Sequence, residues 1–194
     1  MFGMSVDQDF YDYWVASKGL LARGAYYFPL TTQNIDDQAV KFCTMLMGNP
    51  GELPPVIDIE AYKGTVPNAK QIKRSIAIIE DLLGVKPCIY TGYYVWRDQV
   101  TGSNDKYFAD YPLWIATYGP APMVPAPWKN WTFWQYTDKG DGLAYGVESK
   151  NIDLDWFNGS LEQLQDSAGM VIPDTPPSAI TRGRPGAYNL TRRS

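Results

Sequence analysis

Two carboxylates, Asp58 and Glu60, lie at the end of the apolar segment 54–60. In an extended strand, residues i and i+2 point to the same face with roughly 6.5–7 Å between their Cα atoms. Two neighbouring carboxyl groups raise each other's proton affinity, so one can stay protonated while the other stays charged. The spacing therefore predicts acid catalysis of the kind that splits a glycosidic bond. The alternative interpretation is that Asp58 caps a turn and Glu60 is solvated.

The composition leaves carboxylates as the main candidates for acid–base catalysis. The chain has 194 residues and no histidine, so Ser-His-Asp and Cys-His catalysis and most zinc sites are excluded. Acid–base work must come from carboxylates, Tyr, Lys or Cys, and the carboxylates alone form an evident cluster. The net charge of −4 argues against a general nucleic-acid surface, so no nucleic-acid partner is expected.

Cys43 and Cys88 are predicted to be two buried thiols, because neither belongs to a CxxC motif or has a basic partner nearby. No segment reaches the roughly 18 apolar residues of a membrane span, so no membrane insertion is expected. Residues 1–15 lack a basic region followed by an apolar core, so the sequence predicts no conventional signal peptide.

Hydrophobic periodicity and turn residues predict helices alternating with strands. The predicted helices cover residues 9–18, 36–47, 68–83, 95–100 and 160–166. The predicted strands cover residues 23–28, 55–59, 87–91, 111–117, 132–136 and 151–154. Residues 1–168 are interpreted as one barrel domain. Residues 169–194, rich in Pro and Arg, are interpreted as a tail or linker that is flexible or docked elsewhere.

The order of these elements predicts a parallel sheet that begins with β/α units and ends with plain strands. Strands alternate with helices through residue 100, which indicates right-handed crossovers. The later strands have no full-length helices between them. Ligand sites in such sheets lie at the carboxyl ends of the strands, where Asp58 and Glu60 fall.

Aromatic side chains gather near the predicted strand ends. Flat rings with a polar edge suit sugars, whose C–H groups pack on the ring while the hydroxyls take hydrogen bonds. The alternative for each ring is core packing, but the set as a whole favours a sugar groove. Asp153 lies near the end of the last predicted strand and is predicted to face the same cleft. Asp155 is instead predicted to act as a cap or to lie in a turn. The aromatic candidates are Tyr26, Phe28, Tyr90, Trp114, Tyr118, Trp134 and Tyr136.

These motifs together resemble the family 25 glycoside hydrolases, the Chalaropsis-type lysozymes that include phage endolysins. The resemblance covers roughly residues 6–160, and its pieces run in the family's order. They are Ala-Arg-Gly-Ala-Tyr-Tyr-Phe at 22–28, Leu-Pro-Pro-Val-Ile-Asp-Ile-Glu at 53–60, Ile-Tyr-Thr-Gly at 89–92, Leu-Trp-Ile-Ala-Thr-Tyr at 113–118, Phe-Trp-Gln-Tyr-Thr at 133–137 and Ile-Asp-Leu-Asp-Trp-Phe-Asn-Gly at 152–159.

The resemblance implies an irregular TIM-like (β/α)5(β)3 barrel that cleaves the β-1,4 bond between N-acetylmuramic acid and N-acetylglucosamine in bacterial peptidoglycan. Glu60 would be the general acid, and Asp58 would assist the substrate's N-acetyl group as it attacks the anomeric carbon. Asp153 would be the acidic residue of the last strand. No metal or cofactor is implied. The positions implied to line the groove are Tyr90, Tyr118, Trp134 and Gln135.

One departure concerns the start of the chain, where residues 1–7 match what normally follows the family's second strand. The first two strands and the acid of the first are therefore expected to be missing, which predicts an open sheet edge. A second copy or another chain would complete the barrel. The alternative is a non-catalytic glycan-binding or phage structural module. A third hypothesis, a chitinase-like enzyme, is supported by the Asp-x-Glu spacing alone.

Overall fold

The computed structural model describes residues 1–147, 149–168 and 188–192. Five α-helices and seven strands follow one another within these residues. They are α1 (Phe10–Ala16), β1 (Tyr26–Tyr27), α2 (Ile35–Leu46), β2 (Val56–Ile59), α3 (Ala69–Leu83), β3 (Cys88–Gly92), α4 (Tyr93–Gln99), β4 (Leu113–Ala116), β5 (Phe133–Asp141), β6 (Asn151–Phe157), α5 (Leu161–Ala168) and β7 (Tyr188–Arg192).

The strands form one curled sheet in the order β1-β2-β3-β4-β5-β6-β7. Strands β1 to β5 pair in parallel, whereas β5 pairs with β6 and β6 with β7 in antiparallel fashion. This confirms the predicted change from β/α units to plain strands. Within the described residues β1 and β7 do not pair with each other, so the sheet is open between them.

The local sequence of helix α3 determines where the helix begins and ends. The Asn68 side chain accepts a hydrogen bond from the Gln71 backbone N–H at 3.1 Å, and the Gln71 side chain accepts one from the Asn68 N–H at 2.9 Å. This reciprocal capping satisfies backbone donors that the first turn leaves unpaired. Gly84 ends the helix in the left-handed region at φ 69°. The predicted start and stop of this helix are confirmed.

Replacing Asn68 with Ala should lower the free energy of unfolding by about 1 kcal/mol, because the cap acceptor is lost. Urea denaturation of the parent and the variant measures the difference. The exposed Asn104 provides a control, since Asn104→Ala should change stability by no more than about 0.5 kcal/mol. Equal effects of the two substitutions would contradict the capping role.

The two faces of the sheet bury different sets of residues. Ile57, Ile59 and Ile89 lie on the helix side, in the core shared with α2 and α3. Val56 and Cys88 lie on the opposite face, here called the groove side, in a smaller cluster. The other members of that cluster are Tyr90, Phe133, Phe157 and Leu164 of α5. Because α5 packs on the groove side, apolar groups fill the region around it, and polar groups occupy the carboxyl ends of the strands.

Cys43 and Cys88 are both free and buried, which confirms the sequence prediction. Burial raises the pKa of the Cys43 thiol to about 11 and also raises the pKa of Cys88. We expect neither thiol to react with a disulfide reagent at pH 8 in the native protein, and both to react in denaturant. Absorbance of the released thiolate measures this. A stoichiometric reaction in the native state would contradict the burial.

Among the described residues, no helix is long and apolar enough to cross a membrane. Most of the predicted tail, residues 169–187 and 193–194, lies outside the described residues. Residues 188–192 form β7, whose backbone pairs with β6. The division into a barrel at 1–168 and a tail at 169–194 stays a prediction.

Candidate active site

The two acids that end the β2 segment are brought to the groove side. Asp58 is 1% exposed and lies opposite Tyr90 of β3 in the strand register. Glu60 directly follows β2 and is half-buried. Because Ile57 and Ile59 belong to the helix-side core, strand alternation places Asp58 on the other face. Glu60, one residue past the end of β2, is one of the acids whose charge acts on Tyr118. Asp58 is therefore enclosed, while Glu60 lies at the open end of the strand.

A buried glutamine joins two tyrosines beside these acids. The Tyr90 hydroxyl donates to Gln135 Oε1 at 2.8 Å, and the Tyr118 hydroxyl donates to the same oxygen at 3.2 Å. Gln135 is 1% exposed and lies on the groove side of β5, two residues after Phe133. The amide therefore orients side chains from β3 and from the segment after β4.

Asp155 lies within β6 and does not cap a turn, so that sequence prediction is wrong. Strand β6 continues to Phe157, three residues beyond its predicted end at Leu154, because its pairing with β5 extends that far. Asp155 is fully buried and accepts a hydrogen bond from Trp114 Nε1 at 2.7 Å. Asp153, two residues earlier on the same face of β6, is half-buried.

Several acids from different elements influence Tyr118. Desolvation and, in decreasing order, the charges of Asp138, Asp153, Glu60 and Asp155 together raise the pKa of the Tyr118 phenol to about 12. The four carboxylates come from the end of β2, from β5 and from β6. Tyr118 is 57% exposed, so its ring lies at the open side of this acidic groove.

Asp138 is the acid that sequence reasoning missed. It lies in the part of β5 where the pairing with β6 shifts register, between Thr137 and Gly140. The predicted strand ended at residue 136, whereas β5 continues to Asp141. A register shift leaves no period-two pattern, so the one available signal was an acid just beyond a predicted strand end.

Trp114 and Tyr90 lie together on the groove side. Their rings meet edge to face with centroids 5.5 Å apart, and Trp114 also contacts Phe133 at 5.6 Å. Tyr26 is 36% exposed and lies opposite Val56 in the register, so it belongs to the same face. Phe28 packs against Phe2 and Tyr62, with ring centroids at 5.1 and 6.4 Å.

Trp134 and Tyr136 lie on the other face of β5 from Gln135, as strand alternation requires. Trp134 packs against the helix-side core and donates its indole N–H to the Thr117 carbonyl at 2.7 Å. Tyr136 stacks on Trp156 with centroids 5.5 Å apart. The role of these two rings in substrate binding stays a prediction.

No group of three or more His, Cys, Asp or Glu side chains among the described residues is arranged to hold a metal ion. The expectation of a site that works without metal or cofactor stays a prediction.

The fold and site define a mixed α/β protein with an acid-rich groove at the carboxyl ends of its parallel strands. The family profile for glycosyl hydrolases family 25 matches residues 4–143. The protein YegX of Escherichia coli strain K12 is 32% identical over 168 residues, covering 82% of this chain. The chain belongs to glycosyl hydrolases family 25.

Other relatives agree with this assignment. Lysozyme M1 of Streptomyces globisporus is 40% identical over 70 residues, which is 36% of this chain and 23% of that lysozyme. A muramidase from Trichobolus zukalii superposes with a TM-score of 0.70 at 29% identity, covering 87% of this chain and 84% of the muramidase. A lysozyme from Streptomyces coelicolor gives a TM-score of 0.71 at 28% identity over 86% and 82% of the two chains. The match to YegX spans 57% of the length of YegX.

Proposed function

We propose that this protein is a peptidoglycan hydrolase, a muramidase that cleaves the β-1,4 bond between N-acetylmuramic acid and N-acetylglucosamine. The observation that carries the proposal is the position of Glu60 at the open end of β2, with the buried Asp58 on the same face. Family membership and the likeness to a muramidase and to lysozymes support it. The bacterial cell wall is then the place of action and peptidoglycan the partner.

Glu60 is proposed as the general acid that protonates the leaving glycosidic oxygen. It is half-buried at the end of a strand, so a glycan in the groove can reach its carboxyl group. Asp153 and Asp155 are proposed to contribute negative charge to the same groove, which their influence on the pKa of Tyr118 supports. Nearby negative charge favours the protonated form of a carboxyl group, which is the form a general acid needs.

Asp58 is proposed to act on the substrate's N-acetyl group. The acetamido oxygen attacks the anomeric carbon while the leaving oxygen takes the Glu60 proton, and Asp58 orients the amide and stabilises its developing positive charge. Water then opens the cyclic intermediate and returns a proton to Glu60. This is the substrate-assisted variant of glycoside hydrolysis. The enclosed position of Asp58 suits a group that holds its partner still.

The rest of the groove suits a sugar chain. Trp114 offers an apolar surface, while Tyr90, Tyr118 and Gln135 form a hydrogen-bonded set beside it. Sugars present apolar C–H faces and polar hydroxyl edges, so this combination matches both. Asp153 is proposed to line the same cleft from β6.

Mass spectrometry of purified peptidoglycan after incubation with the chain tests the proposal. Borohydride reduction marks new reducing ends, and the proposal expects them on N-acetylmuramic acid. New ends on N-acetylglucosamine would identify a different bond and contradict the muramidase assignment. Chitin oligomers serve as the comparison substrate, since their cleavage in preference to muropeptides would indicate a chitinase-like enzyme.

A second candidate, glycan binding without hydrolysis, is favoured by the opening between β1 and β7 in the described part of the sheet. It expects the folded chain to sediment with peptidoglycan while producing no new reducing ends. Completion of the sheet by a second copy or another chain remains a prediction, and light scattering at several protein concentrations measures the self-associated form.

A further inference from the structure

We propose that Asp155 is a positioning residue that holds the Trp114 indole in the groove and keeps a buried negative charge beside the acids of the site. The inference rests on the proposed function, which it deepens by adding a residue that acts through others.

The first support is the hydrogen bond itself. Trp114 Nε1 donates to Asp155 Oδ1 at 2.7 Å, and Asp155 is fully buried in β6. Hydrogen bonds to an ionised acceptor are shorter and roughly twice as strong as neutral ones. Trp114 is half-buried, and its indole N–H is fixed by Asp155. The orientation of the ring that a sugar would meet is thus set from strand β6.

The second support is that Asp155 belongs to a closed set of contacts. The Trp114 ring meets Tyr90 edge to face at 5.5 Å, and the Tyr90 hydroxyl donates to Gln135 at 2.8 Å. Gln135 lies directly opposite Asp155 in the register of β5 and β6. A displaced indole would therefore disturb Tyr90 and Gln135, and through Gln135 also Tyr118.

The third support is the charge around Asp155. The effect of Asp155 on Tyr118 places its charge in the same groove as that of Glu60. The backbone partners on β7 are Leu190 for Asp155 and Arg192 for Asp153. Among the described residues, the titratable and charged groups near this part of the groove include Asp58, Glu60, Tyr90, Tyr118 and Asp138 from other elements and Asp153 from β6 itself.

Asparagine separates the two roles, because Asp155→Asn keeps an acceptor oxygen for Trp114 but removes the charge. Asp155→Ala removes both. The first readout is the indole N–H resonance of Trp114 in a ¹⁵N NMR spectrum, assigned by its absence in Trp114→Phe. The second is the pH profile of kcat and KM on soluble, uncrosslinked glycan chains from peptidoglycan. Circular dichroism checks that each variant folds.

We expect Asp155→Asn to shift the Trp114 resonance upfield and to move the alkaline limb of the pH profile to lower pH, because Glu60 loses a neighbouring negative charge. We expect Asp155→Ala to lower kcat/KM by about 10–100-fold, as follows from losing a hydrogen bond to a charged group. If Asp155→Ala does not fold, Asp155→Asn decides the question alone.

An unchanged Trp114 resonance together with an unchanged pH profile in Asp155→Asn would overturn the proposal and leave Asp155 a structural residue. If the parent chain cleaves no glycan, the proposed function fails, but the NMR readout still tests the positioning of Trp114. In that case the chemical shift of the Trp114 indole N–H is measured as a function of pH. A titration of the Trp114 signal in the parent that is absent in Asp155→Asn supports the inference, and identical curves overturn it.

Discussion

Glu60→Gln should lower the rate of muropeptide release by about 10²–10⁴-fold, the range that a positioned general acid contributes. Gln has the same shape as Glu but has no acidic proton to give to the leaving oxygen. Because Glu60 lies after the end of β2 and outside the apolar clusters, the substitution should leave the fold intact. Release of reducing N-acetylmuramic acid, followed by mass spectrometry, measures the rate.

Glu162→Gln provides a matched control for this substitution. Glu162 lies exposed on α5, where Ser160 Oγ donates to its carboxylate at 3.2 Å. Glu162→Gln therefore makes the same chemical change at an acid that is not among those influencing Tyr118. Its rate should equal that of the parent. A Glu60→Gln protein that keeps the parent rate would remove Glu60 from the mechanism, whereas loss of activity in both variants would point to a folding defect.

Glu52→Ala should lower the free energy of unfolding by about 3–5 kcal/mol, because it leaves the buried Arg23 guanidinium without its carboxylate. The Arg23 side chain is 4% exposed, and its Nη2 lies 2.7 Å from Glu52 Oε1. The same guanidinium donates to Asn49 Oδ1 at 3.1 Å and lies 4.6 Å from the centre of the Trp14 ring. The ion pair therefore joins α1 to the segment that leads into β2.

An exposed ion pair in the same protein supplies the control. Arg74 and Asp36 are 2.9 Å apart, but their side chains are 59% and 43% exposed. Arg74→Ala should therefore change the free energy of unfolding by only about 0–1 kcal/mol. Urea denaturation at pH 7 measures both variants. Similar losses for the two pairs would show that burial does not set the strength of the Arg23–Glu52 interaction.

The Glu52 effect should also depend on pH. The hydrogen bond from Arg23 lowers the pKa of Glu52 below its ordinary value of 4.5, although desolvation opposes this. A carboxyl whose folded pKa is lowered contributes stability above its unfolded pKa, and this contribution is lost as the pH falls through the folded value. The difference between the parent and Glu52→Ala should thus be full at pH 7 and shrink below pH 4.5.

The sequence by itself determined the elements whose signals are local. Helix α3 has its cap, its apolar spacing and its final glycine within residues 68–84, so its limits follow from neighbouring residues alone. The closeness of Asp58 and Glu60 is equally local, because the two acids are two residues apart at the end of β2. The family's motif order was sufficient to predict the fold class, and the family profile and solved relatives agree.

Only the tertiary structure decided which acids and rings meet. Asp155 becomes a buried partner of Trp114 because β6 pairs with β5 as far as Phe157, a contact 41 residues apart in the chain. Asp138, whose charge acts on Tyr118, lies at a register shift that has no sequence period. Strand alternation places Trp134 and Gln135 on opposite faces of β5, although both were predicted to line the groove. These outcomes depend on pairing between distant strands, so local spacing could not determine them.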